Sequence, residues 1–306
     1  ENLHFFVTIM TLNILISCYN ESVKDVQNIF LSPRADVRYI VSHQLSPDYA
    51  AAHPGLTADV SLQFSGRSDV VYSPFVGKGL SRNRNHCLDI LESILEAETG
   101  QSGTHKADTQ CIESCVLKEQ LCVISDDDIV YTDAWLSRII EIFDERPWAD
   151  VLCFRIATPD SQPEFKDYPE KEFEIRKVPV YGNVYFSAVE IAFRYEPVRK
   201  SGIRFDENFG LGSQVWPEGG EETVFLSDCH KAGMRMVYVP EYLVQHPFFS
   251  TGKKLKTVRK ARMLEAVALR CRGRLSFAAF VGRLRVLYRR VLSAAHLFSF
   301  PTSPLK

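Results

Sequence analysis

Short apolar runs alternate with stretches of helical spacing along the first part of the chain. LNILISC at residues 12–18 is compact and apolar, VKDVQNIF at 23–30 spaces its apolar positions for a helix, and VRYIVS at 37–42 is apolar again. That order predicts strand, helix, strand in a parallel sheet. The polar stretch 46–67, with Pro47, Pro54, Gly55 and Gly66, reads as loop, and SDVVYS at 68–73 as a further strand. After Gly77 and Gly79, the positions of Leu80, Leu88, Leu91, Ile94 and Leu95 place them on one side of a long helix.

LCVIS at 121–125 is fully apolar, as an inner strand of a parallel sheet should be. Asp126, Asp127 and Asp128 follow it directly, so three carboxylates fall at a strand's carboxyl end, where open α/β sheets bind ligands. Thr132 or Asp133 caps a helix running to about Arg146, and ADVLCFRI at 149–156 gives the next strand. The stretch 159–180 is polar and proline-rich, with EFEIRKV at 172–178 alternating like an edge strand. SAVEIAF at 187–193, a short helix near 195–201 and a glycine-rich segment at 205–222 follow. That segment feeds a helix at 221–232, then two strands at 236–239 and 242–246.

Composition adds an asymmetry. With 306 residues, 45% hydrophobic and 24% charged, the chain can bury one large core. The net charge of -2 conceals 22 basic against 37 acidic residues in 1–252, and 14 basic against one acid, Glu265, in 253–306. This divides the chain into an acidic part, 1–252, and a basic tail, 253–306. The eight cysteines include Cys18, Cys122 and Cys153 inside apolar runs and Cys87 and Cys229 in helical patterns, which suits free thiols in a reducing compartment. Cys111 and Cys115 have no second pair of metal-ligand spacing and read as a helix face. The apolar start, 3–16, is broken by His4, Thr8, Thr11 and Asn13 and has no basic flank, so neither a signal peptide nor a spanning helix is expected. A cytoplasmic location follows as the expectation.

The aspartate triplet has two sharp readings. Carboxylates at a strand end can hold Mg²⁺ or Mn²⁺ for a nucleotide diphosphate. Asp126, Asp128 and Val130 also fit the DxDx[TV] pattern of a phosphatase. A solvated loop capping the next helix would need only one acid.

The motifs ILISCYNES (14–22), GLSRNRNHCLD (79–89), the aspartate triplet and FGLGSQVWPEGGEETVFL (209–226) stand in an order and spacing that resembles glycosyltransferase family 2, over about residues 12–254. The resemblance implies the GT-A fold, an α/β nucleotide-binding sandwich with a mostly parallel central sheet, here followed by a basic helical C-terminal tail. It implies inverting transfer from a nucleotide-diphosphate sugar, a UDP-sugar first of all, to a glycan or lipid-linked glycan, with Mn²⁺ or Mg²⁺. By the same resemblance Asn20 and Glu21 lie near the nucleoside, and Arg84 and Asn85 on the nucleotide side. Asp126 and Asp128 form the Asp-x-Asp, with Asp127 beside the nucleotide, Asp128 the direct metal ligand and His246 completing the metal site. Family members usually carry an Asp after the second strand. This chain has SHQ, so His43 or Gln44 would stand in at the base.

The chemistry asks for such groups on its own account. A departing nucleoside diphosphate leaves charge that a metal can offset. A sugar hydroxyl is a poor nucleophile, so an inverting transferase needs a general base. By the resemblance Glu222, in the position of the second acid of the family's Glu-Asp pair, would be that base and Glu221 would orient acceptor or donor sugar. A helix N-terminus also attracts acids for dipole reasons. Trp216 would stack on a sugar or anchor its loop. The rival phosphatase would want its nucleophile near the N-terminus. A sugar-binding module without turnover would not need both glutamates.

The tail places Leu264, Val267 and Ala268, then Phe277, Phe280, Val281, Leu284, Leu287 and Tyr288, at helical spacing, with Arg283, Arg285, Arg289 and Arg290 between them. It reads either as a helix lying on an anionic membrane at the cytoplasmic face or as a cover whose apolar side packs on the catalytic part. Nucleic acid is not expected as a partner, because the acidic catalytic part would repel its phosphates.

Overall fold

The computed structural model describes residues 8–101, 117–181, 185–213, 218–248 and 257–298. The apolar run at 12–18 lies within β1 (Thr8–Tyr19), parallel between β2 (Val37–Leu45) and β4 (Leu117–Asp126). β3 (Val70–Val76) extends the sheet beyond β2. On the other side of β4 come antiparallel β7 (Ile191–Arg194), then β5 (Val151–Ala157), β8 (Met236–Gln245) and the short edge strand β6 (Phe173–Glu174). The order is therefore β3-β2-β1-β4-β7-β5-β8-β6, a mostly parallel α/β sheet as expected.

The pleat sends alternate residues of β1 to opposite faces. Leu12, Ile14 and Ile16 meet α2 (Leu56–Phe64) and α4 (Asp133–Glu145) in one buried cluster. Leu15 belongs to a second cluster with α3 (Leu80–Gln101), α5 (Tyr195–Lys200) and α6 (Glu221–Lys231). From β1 the chain builds outward to β2 and β3, then returns through α3 to β4 on the far side of β1. This reversal makes the adjacent carboxyl ends of β1 and β4 the switch point, and Ser17 pairs there with Asp126.

Three local expectations are corrected. The stretch 46–67 is not loop but holds α1 (Pro47–Ala52) and α2. Ser46 caps α1 by accepting from the Tyr49 N–H, and Pro47 occupies a first-turn position that needs no N–H. In place of one α-helix at 23–30 the chain forms two 3₁₀ turns, Asn20–Lys24 and Val26–Asn28, and the spacing of the buried Val23, Val26 and Ile29 is the three-residue repeat of that geometry. The two strands expected at 236–246 are one strand, β8, whose pairing with β5 shifts register near Pro240.

The tail forms α7 (Thr257–Arg272) and α8 (Phe277–Phe298). Val267 and Cys271 of α7 pack with Phe209 and Val224 in a third cluster, so one face of α7 is part of the interior. Cys18, Cys87, Cys122, Cys153, Cys229 and Cys271 are free and buried, and Cys111 and Cys115 lie outside the described residues. No described helix is long and apolar enough to cross a membrane.

The α6–α7 contact depends on two glycines. Gly220 has φ +82°, and a Cβ there would stand 2.5 Å from Val267 Cγ2. At Gly219, φ +125°, a Cβ would stand 2.9 Å from Met263 Sδ. Gly220→Ala should therefore destabilise the fold by about 1–2 kcal/mol for the left-handed backbone and about 1–3 kcal/mol for the overlap, read by urea denaturation. Combining it with Val267→Ala should recover the overlap but not the backbone cost, giving a coupling of about 1 kcal/mol or more. Simple additivity would show that α7 does not press on this turn.

Candidate active site

A cleft of about 680 Å³ opens where β1 and β4 end. It is lined by Tyr19, Gln44, Asn83 and Arg84, by Asp126, Asp127 and Asp128, and by Gly219, Gly220, Glu221 and Glu222. Arg84 is the centre of this arrangement. It is 3% exposed and donates through Nη1 to Glu221 Oε1 at 2.6 Å and through Nη2 to Asp126 Oδ1 at 3.1 Å. Burial alone would lower its proton affinity, but the Glu221 and Asp126 carboxylates raise it above the ordinary arginine value. Its guanidinium also lies 5.6 Å from the centre of the Phe205 ring.

The neighbouring acids are strained by their surroundings. Burial pushes Asp127 up to about 6, helped by Asp126 and Asp128 and opposed by a hydrogen bond from Ser22. Asp128 is also raised, by burial first, with His246 pulling in the other direction. Glu222 is pushed up to about 8, by burial and then by the Glu221 carboxylate beside it. One oxygen of Glu221, Oε2, is buried without a hydrogen-bond partner.

His246, at the end of β8, faces Asp128. Its Nδ1 lies 2.6 Å from the Pro247 carbonyl, which can only accept, so Nδ1 carries the proton. In the neutral ring Nε2 then presents a lone pair, 3.4 Å from Asp128 Oδ1. Two Lewis bases face each other, a donor set that fits Mg²⁺ or Mn²⁺ when phosphate oxygens and water complete the shell. The expected trio is thereby modified: Asp126 is engaged by Arg84, and no group of three or more such ligands is assembled among the described residues.

Other expected residues are placed differently. Gln44 lines the cleft and donates to the Gly79 carbonyl. His43 sits behind it, donating from Nε2 to the Asn20 carbonyl at 2.8 Å and accepting from the Tyr72 hydroxyl at 2.7 Å. That contact holds Asn20 at φ +53°, and the Asn20 side chain accepts from the Ser46 N–H. Glu21 is exposed, and neither it nor Asn20 lines the cleft. Asn85 also does not line it: its amide donates to the Phe205 carbonyl and Glu207 and accepts from the Phe205 N–H. Asn85 thus braces the loop that puts Phe205 against Arg84. Trp216 lies outside the described residues.

Sequence reasoning missed the far end of the cleft. Tyr181 and Tyr185 meet Lys260, Met263 and Leu264 of α7 and Arg285 of α8 there. Tyr181 donates to the Leu264 carbonyl and lies under Arg285, whose guanidinium is 4.6 Å from the Tyr181 ring centre, and Tyr185 is held from the other side. Lys166 donates to the Tyr185 carbonyl and pairs with the fully buried Glu190 at 2.5 Å, and Glu190 also accepts from the Ser187 N–H. This buried pair clamps the wall formed by Ser187, Ala188 and Val189.

Among solved structures the chain is similar to TarS, a glycosyltransferase of S. aureus. For TarS 1-349 the TM-score is 0.51 at 13% identity, covering 96% of this chain and 76% of that one. For TarS 1-349 in complex with UDP it is 0.53 at 14% identity, covering 95% and 73%. For the complex with UDP-GlcNAc it is 0.50 at 12% identity, covering 96% and 77%. No family model and no curated protein matches the chain. The chain therefore has the fold of these glycosyltransferase structures, with α7 and α8 within a likeness that spans nearly its whole length.

The raised Glu222 has a measurable consequence. Between its ordinary value of 4.5 and about 8 the folded state holds a proton that the unfolded chain releases. Unfolding free energy should then fall as pH rises through that window. Glu222→Gln cannot ionise, so it should stabilise the protein by a few kcal/mol at about pH 9 and by little at about pH 5. Thermal or urea unfolding at both pH values would check this, and an equal effect at both would place the carboxyl in an ordinary environment.

Proposed function

We propose that this protein is a metal-dependent inverting glycosyltransferase, taking a nucleotide-diphosphate sugar, a UDP-sugar by preference, and glycosylating a hydroxyl of a glycan or lipid-linked glycan. One juxtaposition carries the reading: Glu222, a carboxylate of raised proton affinity, lines the same cleft as Asp126, Asp128 and His246. The likeness in fold to TarS structures determined with UDP and with UDP-GlcNAc supports the choice of donor.

In this reading the diphosphate lies over the strand ends, with Gln44 and the Tyr19–Asn20 turn toward the nucleoside and Asp127 beside it. Asp128 and His246 Nε2 would hold Mn²⁺ or Mg²⁺, which when bound offsets the charge that develops on the diphosphate. Glu222 accepts the proton of the acceptor hydroxyl while that oxygen forms its bond to the anomeric carbon. The bond from that carbon to the diphosphate oxygen breaks on the opposite face, its electron pair leaves with the diphosphate, and the configuration inverts. A carboxylate with a value near 8 is a stronger base than an ordinary glutamate, and part of it is still ionised at neutral pH. Arg84 holds Glu221 beside Glu222 through Nη1, and in this reading Glu221 would orient a sugar hydroxyl.

Calorimetry of UDP with Mn²⁺ should give clear binding that EDTA abolishes, and Asp128→Ala should bind in Mn²⁺ no better than the native protein in EDTA. Glu222→Gln should keep UDP affinity and lose at least about 100-fold in transfer. Equal affinity in Mn²⁺ and EDTA would remove the metal. Loss of transfer in Glu221→Gln but not in Glu222→Gln would exchange their roles. Failure to bind any nucleotide sugar would remove the donor.

A further inference from the structure

Helix α8 has two different apolar sides. One faces α7: Ala279 and Val286 are buried, and a Cβ on Gly282 would stand 3.0 Å from Glu265 Cα. The other faces solvent. Phe277, Phe280, Leu284, Leu287, Tyr288 and Val291 are between 49% and 80% exposed. At roughly 100° per residue these six fall within an arc of about 100°. Singly exposed apolar residues are common, but six large ones in one stripe mark a contact surface.

The charges beside the stripe indicate what it contacts. At the same helical pitch Arg283 and Arg290 fall on one flank and Arg285 on the other, while Arg289 lies about 150° from the centre of the stripe. No acidic residue occurs from 266 to 306. Between α7 and α8 runs a groove of about 540 Å³ in which Arg262, Arg283 and Arg290 stand with Leu269, Val286 and Leu287, and Glu265 is its one acid. A contact with the same face of a second copy would set these arginines against each other, since a two-fold interface repeats the patch on both sides. A plane of uniform negative charge has no such conflict.

We propose that α8 lies in the surface of an anionic phospholipid bilayer, with its apolar arc entering the acyl boundary, its flanking arginines on headgroup phosphates, and one headgroup in the groove. Arg285 also lines the catalytic cleft, so the cleft opens beside the helix that meets the lipid. A lipid-linked acceptor would then reach the cleft along the surface; this consequence, unlike the surface itself, rests on the glycosyl-transfer reading.

Flotation of the full chain with phosphatidylcholine vesicles, with and without phosphatidylglycerol, tests the surface. Binding should require the anionic lipid and weaken with salt. Arg283→Ala with Arg290→Ala should reduce it about 25-fold, at a factor of about five per arginine. Phe280→Ser with Leu284→Ser should abolish it. All four side chains lie away from the interior, so melting temperature, UDP affinity and transfer to a water-soluble acceptor should stay unchanged, which separates this test from that of the function. Equal binding to neutral and anionic vesicles, or undiminished binding by both double variants, would overturn the proposal. So would a chain that ignores vesicles but forms a dimer that the serine pair dissociates, which would give the face to a second copy.

Discussion

Arg84 cannot shed its charge, so a chain that buries it must bring carboxylates to it. Asp126 comes from the end of β4 and Glu221 from the start of α6, two elements far apart in sequence that this one guanidinium, carried on α3, ties together. Removing one partner of a buried pair of this kind costs about 3–5 kcal/mol, enough to make the geometry of the cleft a condition of folding. The supports follow from that requirement. Asn85, next on α3, holds the Phe205 loop so that the Phe205 ring lies against Arg84, and Ser81 donates to the Phe209 carbonyl further along the same segment.

The same constraint accounts for the unusual acid beside it. Glu221 takes the direct hydrogen bond from Arg84, and Glu222, buried next to that carboxylate, has a raised affinity for a proton. The environment that makes Glu222 a stronger base also makes the ionised form costly to the fold. The buried Lys166–Glu190 pair acts on another part of the cleft lining in a similar way, holding polar backbone in place where apolar packing alone would not specify a position.

Helix α7 belongs to this construction rather than to a detached tail. Its close approach through Met263 and Val267 is possible only because Gly219 and Gly220 have no side chains, and those glycines lead directly into Glu221 and Glu222. α8 then rests on α7 by Ala279 and Val286. The charge asymmetry of the sequence thus becomes a spatial one, with acids at the strand ends and a basic, partly apolar outer helix beside the cleft mouth.

The sequence by itself determined the inner parallel strands, the long helix after Gly79, the capped helix at Thr132 and the position of the aspartate triplet at a strand end, because apolar periodicity, caps and strand-end carboxylates are local signals. It split the single strand β8 in two, because continuity across a register shift is not a local signal. The order and spacing of its motifs pointed to the glycosyltransferase fold and to Arg84, Asp126, Asp128, Glu221, Glu222 and His246 as one site. It misread 23–30 and 46–67, where turns of three-residue repeat and helices with few apolar anchors leave a weak periodic signal. Only the tertiary structure decided that Asn85 braces a loop, that His43 holds Asn20 while Gln44 faces the cleft, and that Arg84 takes Asp126 and leaves His246 to Asp128. It alone brought Lys260 and Arg285 to the cleft and separated the buried side of α8 from the exposed one. Pairings across long stretches of chain are set by which burial costs can be offset together, and no local pattern in the sequence encodes that.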